Sequence, residues 1–136
     1  KFNFFDTQIK RALERSLHSP PVEKTSYYGE VFESFIISEF YKLNHYLETD
    51  YALSYFSTKE GAEVDLVLNR GKSETLFIEI KSSTSINESE VKKLGNLISG
   101  TKIKAYYLSQ DPHPQQIDNI QCLHWKDGLK SIFNLD

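Results

Sequence analysis

Methionine is absent from the 136 residues and cysteine occurs once, so an internal disulfide and a multi-cysteine zinc centre are both excluded. No apolar run approaches the roughly 18 residues of a membrane span, and no basic, apolar, small-residue series marks a secretory signal. The sequence therefore predicts a cytoplasmic protein with no membrane partner. A basic excess is also missing. The net charge of −3 argues against nucleic-acid binding by bulk electrostatics, so any phosphate contact has to be local. No Gly-x-x-x-x-Gly-Lys-Ser/Thr loop occurs, which excludes P-loop nucleotide binding by this segment.

What is present is ordinary for a folded domain: 39% hydrophobic and 26% charged residues, with nine Phe, eight Tyr and one Trp to fill a core. Disordered and fibrous classes drop out, and the length predicts one domain over residues 1–136. The chain starts on Lys1-Phe2-Asn3-Phe4-Phe5 without an initiator methionine, which predicts a fragment of a longer protein. Cys122 lies in an apolar stretch and reads as a buried, inert thiol.

Hydrophobic spacing gives the element order. Phe2 to Phe5 reads as a short strand, and Asp6 or Thr7 can cap a helix with Ile9, Ala12, Leu13 and Leu17 on one face, ended by Ser19-Pro20-Pro21. A longer helix is predicted from Tyr27 to Tyr46, with Phe32, Ile36, Phe40 and Leu43 inward. Strands follow at Leu53 to Thr58, Ala62 to Leu68 and Thr75 to Lys81, separated by glycine-containing charged turns. Asn87 with Glu90 three residues on resembles a capping box, opening a helix with Val91, Leu94, Leu97 and Ile98 inward and Gly100 as its stop. A strand from Lys102 to Ser109, a loop at Asp111-Pro112-His113-Pro114, a strand within Ile117 to Trp125 and a closing helix from Leu129 to Leu135 complete the chain. The order α-β-β-β-α-β predicts an α/β fold with a mixed central sheet flanked by helices.

Strict alternation in Ala62 to Leu68 puts Val64, Leu66 and Leu68 on one face and Glu63, Asp65 and Val67 on the other. In the next strand Leu76, Ile78 and Ile80 oppose Phe77, Glu79 and Lys81. A turn centred near residue 72 sets Asp65 opposite Glu79 and Glu63 opposite Lys81, a register that a one-residue slip would destroy. Adjacent carboxylates need a compensating cation. Asp65, Glu79 and the Ile80 carbonyl would suit Mg²⁺ or Mn²⁺, which take oxygen ligands, water and substrate phosphate. Lys81 could then orient water or offset transition-state charge. Glu33, at the edge of the first helix's inner stripe, is a fourth candidate, and Glu39 competes with it.

The competing reading makes Asp65, Glu79 and Lys81 a solvated cross-strand charge group. Glu-x-Lys is a weak pattern and recurs as Glu90-Val91-Lys92 in a predicted helix. His18, His45, His113 and His124 have no metal-like spacing and read as surface or loop residues. Lys92-Lys93 and Arg70/Lys72 read as solvated charges that would contact phosphate only if they flank the cluster.

Four segments in order, Phe4-Phe5-Asp6-Thr7, Tyr28-Gly29-Glu30-Val31-Phe32-Glu33, Gly61-Ala62-Glu63-Val64-Asp65 and Ile78-Glu79-Ile80-Lys81-Ser82-Ser83, carry a resemblance spanning nearly the whole chain. They resemble the PD-(D/E)XK nuclease-like C-terminal domain of unknown function that follows an AAA-type ATPase module in many prokaryotic proteins. The resemblance implies a restriction-endonuclease-like core, with Glu33, Asp65, Glu79 and Lys81 at the matched site positions and an ATPase module upstream in the same chain. Two departures stand out: Gln8 replaces a frequent glycine, and Phe56-Ser57 replaces a frequent aromatic-arginine pair. Two functions follow as expectations. One is metal-dependent hydrolysis of DNA phosphodiester bonds; the other is an inactive regulatory, partner-docking or DNA-binding module that controls the adjoining ATPase.

Overall fold

The computed structural model describes residues 2–4 and 24–136. The helix expected between Asp6 and Pro21 lies outside them, as does His18. In chain order the described elements are β1 (Phe2–Phe4), α1 (Lys24–Tyr46), β2 (Ala52–Ser57), β3 (Glu63–Arg70), β4 (Glu74–Ile80), α2 (Glu88–Ile98), β5 (Lys104–Ser109), β6 (Gln115–Ile117), β7 (Ile120–His124) and α3 (Trp125–Phe133). The strands form one mixed sheet in the order β1-β2-β3-β4-β5-β7-β6. Pairing is antiparallel from β1 to β4, parallel for β4 with β5 and β5 with β7, and antiparallel for β7 with β6. The parallel β4–β5 pair requires a crossover, and α2 supplies it. The fold is thus the expected α/β arrangement, a mixed sheet flanked by helices.

Each sheet face has its own core. On one, Phe32, Ile36, Ile37 and Phe40 of α1 and Leu129, Ile132 and Phe133 of α3 bury Leu66, Leu68, Leu76, Ile78, Ile80 and Leu108. On the other, Val91, Leu94 and Ile98 of α2 cover Val64, Val67, Phe77, Ala105, Tyr107, Ile120 and Cys122. The spacing of apolar residues in α1 and α2 therefore aims both helices correctly. Among the described residues no helix is long and apolar enough to cross a membrane.

Two readings are corrected. Val64 packs with Val67 against α2, away from Leu66 and Leu68, because β3 carries a bulge: Ser54 pairs with Val67 but Phe56 pairs with Val64. One extra residue on β3 interrupts the alternation between Val64 and Val67. The last helix starts at Trp125, where His124 Nδ1 accepts from the Lys126 N–H, and so runs through Gly128. The helix expected from Leu129 thus begins four residues earlier and includes Gly128, a residue type that weakens a helix interior. Here Gly128 is required by close packing, since a Cβ on it would collide with Leu108 Cδ2.

Candidate active site

The register between β3 and β4 is the predicted one, running from Leu66 opposite Ile78 to Arg70 opposite Glu74. At the next step the bulge intervenes. The Ile80 N–H, which would otherwise seek a β3 carbonyl, donates to Asp65 Oδ2 at 2.8 Å. Since the N–H and C=O of a strand residue project the same way, the Ile80 carbonyl also faces the β3 side. Asp65, Glu79 and Ile80 thus converge where β3 and β4 part.

Asp65 lies close enough to Glu79 for its charge to act on the Glu79 carboxyl. Burial and then the neighbouring Asp65 push the Glu79 carboxyl up to about 10, and Lys81 pulls it back only in part. At neutral pH the Glu79 carboxyl therefore holds its proton in the metal-free protein, as expected of a carboxyl in a poorly solvated place beside another. The donor set fits a hard divalent cation, whose charge can take the place of the proton. Among the described residues no group of three or more His, Cys, Asp or Glu side chains could hold a metal, so the Ile80 carbonyl and water would have to complete the shell.

Lys81 emerges on the α2 side. Its backbone N–H donates to Leu108 O of β5 at 2.9 Å, and its Nζ lies 3.0 Å from Glu90 Oε2. Glu90 Oε1 accepts from the Tyr107 hydroxyl at 3.2 Å. Burial would lower the Lys81 pKa, but Glu79, Asp65 and Glu90 outweigh it and keep the ammonium charged. Burial and Glu90 push the Tyr107 phenol up to about 12, so Tyr107 stays a neutral donor. The Lys81 ammonium thus turns to the helix.

Glu90 and Tyr107 went unrecognised in the sequence. Glu90 stands third in α2 behind the Asn87 cap, whose Oδ1 accepts from the Ser89 and Glu90 N–H groups, and this pattern reads as a capping box. Its carboxylate turns to the sheet instead. The only available signal was that α2 is the crossover between β4 and β5 and must lie over one of their faces.

Glu33 is half-buried on α1, which covers the opposite face of the sheet from Glu90 and α2. The approach of α1 to the site runs through its first turns: Gly29 passes Ser82, with 3.7 Å from an added Cβ to Ser82 Oγ, and the Tyr28 hydroxyl accepts from Gln110 Nε2 at 3.0 Å. Glu33 follows Gly29 by one turn on the same side of the helix. Glu39 is also half-buried. Arg70 and Lys72 do not flank the cluster: Arg70 is at the far end of β3, bound to Glu74 at 2.8 Å. His45 and His113 are exposed, and His124 caps α3. Cys122 is fully buried, which pushes its thiol up to about 11 and leaves it inert at neutral pH.

Fold and site together define an α/β domain with two neighbouring carboxyls, Asp65 and Glu79, at the mouth of a bulged hairpin. Residues 28–127 match the family described as a domain of unknown function, DUF4143, and the chain belongs to that family. No curated protein and no solved structure matches it.

Proposed function

We propose that this chain is a nuclease-like module that hydrolyses DNA phosphodiester bonds with Mg²⁺ or Mn²⁺ held by Asp65, Glu79 and the Ile80 carbonyl. The observation that carries this reading is the bond from the Ile80 N–H to Asp65 Oδ2, which sets Asp65 beside Glu79 at the end of β4, with the Lys81 ammonium directly after that strand. A bound cation would lower the pKa of its water and polarise the phosphate. Asp65 and Glu79 would orient that group, Lys81 would offset negative charge as the phosphate reacts, and Glu33 is the further carboxylate that α1 would contribute. The PD-(D/E)XK relationship, an AAA-type ATPase upstream and a cytoplasmic setting belong to this proposal. The test is incubation of DNA with either metal and wild-type, Asp65→Asn or Glu79→Gln protein. Cleavage that persists undiminished in both variants sinks the assignment.

The Lys81–Glu90 contact favours a second reading, a non-catalytic module regulating an adjoining ATPase or holding DNA, because the lysine's charge is already partnered at 3.0 Å. That reading expects metal binding without cleavage and an altered ATPase rate on deletion of the domain from the full-length protein.

A further inference from the structure

Between the β2–β3 turn and α2 lies a cavity of about 210 Å³, lined by Gly61, Glu63, Glu79, Glu90 and Lys93 among others. It opens beside the candidate metal-binding carboxyl pair through Glu79. Its lining is acidic, and an anionic substrate entering it needs positive charge besides the metal. Lys81 does not line it and is committed to Glu90. Arg70 and Lys72 are remote, at the other end of the hairpin. Among the described residues that line the cavity, Lys93 is the one cation. It sits one turn beyond Glu90 on α2, is exposed, and makes no ion pair among the described residues. Its neighbour Lys92 does not line the cavity.

We infer that Lys93 is the residue of α2 that contacts the substrate's phosphate, and that the cavity beside Glu79 receives the phosphodiester backbone of DNA. This rests on the nuclease-like reading and deepens it by naming where substrate lies: between the β2–β3 turn and α2. A lysine suits this task as a mobile point charge on a flexible stem, giving backbone contact without base readout. Lys93 is a binding residue and has no part in holding the metal.

The test titrates a short fluorescein-labelled DNA duplex against the protein in Ca²⁺ and follows polarisation at several salt concentrations. Lys93→Ala is expected to weaken binding roughly tenfold near 0.1 M salt and to lower the slope of log K against log salt by about 1. Lys93→Arg should bind as wild type, Lys92→Ala should change little, and calorimetric Mg²⁺ binding should survive in Lys93→Ala. Wild-type affinity in Lys93→Ala, or an equal loss in Lys92→Ala, overturns the inference while leaving cleavage by wild type as support for the broader reading. If wild type takes up Mg²⁺ but binds no DNA, the choice of substrate fails and this inference falls with it.

Discussion

The Ile80 N–H donates to Asp65 Oδ2 at 2.8 Å, so a side chain fills the place that a strand carbonyl fills elsewhere in the β3–β4 ladder. Asp65 therefore has two tasks, to close a backbone hydrogen bond in the core and to supply an anionic oxygen. The two separate on substitution. Asp65→Ala leaves the buried Ile80 N–H without its acceptor and should cost about 1–3 kcal/mol. Asp65→Asn keeps a carbonyl acceptor and should retain most of the stability while losing metal affinity. Urea unfolding and metal calorimetry on both variants check this; equal destabilisation would mean that the hydrogen bond contributes nothing specific.

Glu79 makes the metal-free protein sensitive to base. Its carboxyl, ordinarily near 4.5, is raised to about 10 in the folded state by burial and by Asp65. The folded chain thus holds a proton that the unfolded chain has released. Stability from this group is complete below about pH 4.5 and is lost as pH rises toward 10. In a chelating buffer the urea midpoint should fall from pH 5 to pH 9, and Glu79→Gln, which cannot ionise, should flatten that decline. A wild-type midpoint that rises across the same range would contradict a proton held on Glu79. Metal binding should release a proton, visible as a dependence of the calorimetric heat on buffer.

How far the sequence could reveal this site depends on which period governed each residue. The apolar runs of α1, α2 and β4 repeat cleanly, so their faces and the β3–β4 register follow from spacing. Asp65 was found through a rule that fails locally: alternation set it opposite Glu79, yet the bulge that brings Asp65 to Ile80 moves Val64 to the other face. No residue type between Val64 and Val67 announces that bulge. Glu90 was legible only as a cap, because its bond to Lys81 joins a helix to a strand and leaves no trace in local pattern.

The Lys81–Glu90–Tyr107 chain should matter more for geometry than for stability. Lys81 and Glu90 side chains are 36% and 32% exposed, so their ion pair should contribute less than about 1 kcal/mol. Tyr107 is fully buried, and Tyr107→Phe removes only its hydroxyl, with an expected cost of about 1 kcal/mol. Glu90→Gln should lower the urea midpoint slightly and leave Mg²⁺ binding in place. Loss of metal binding in Glu90→Gln would show instead that Glu90 belongs to the ligand set.

Gly128 tests the packing of α3 on β5. A methyl group there would run into Leu108 Cδ2, with Cδ1 at 3.1 Å and Cγ at 3.2 Å, and Leu108 is fully buried. A surface side chain could swing away at little cost, but Leu108 is held in the core shared by α1 and α3, so either its rotamer or the helix has to move. Gly128→Ala should therefore destabilise by about 1–3 kcal/mol despite alanine's better helix propensity. Leu108→Ala alone should cost about 2–5 kcal/mol by leaving a cavity. The double variant places the new methyl group in the space that Leu108 vacates, so its loss should be smaller than the sum of the two single losses. A double-mutant cycle by urea unfolding reads this coupling directly. Strict additivity would mean that α3 shifts as a body to admit the methyl group, and that Gly128 serves the backbone of the helix rather than its contact with Leu108.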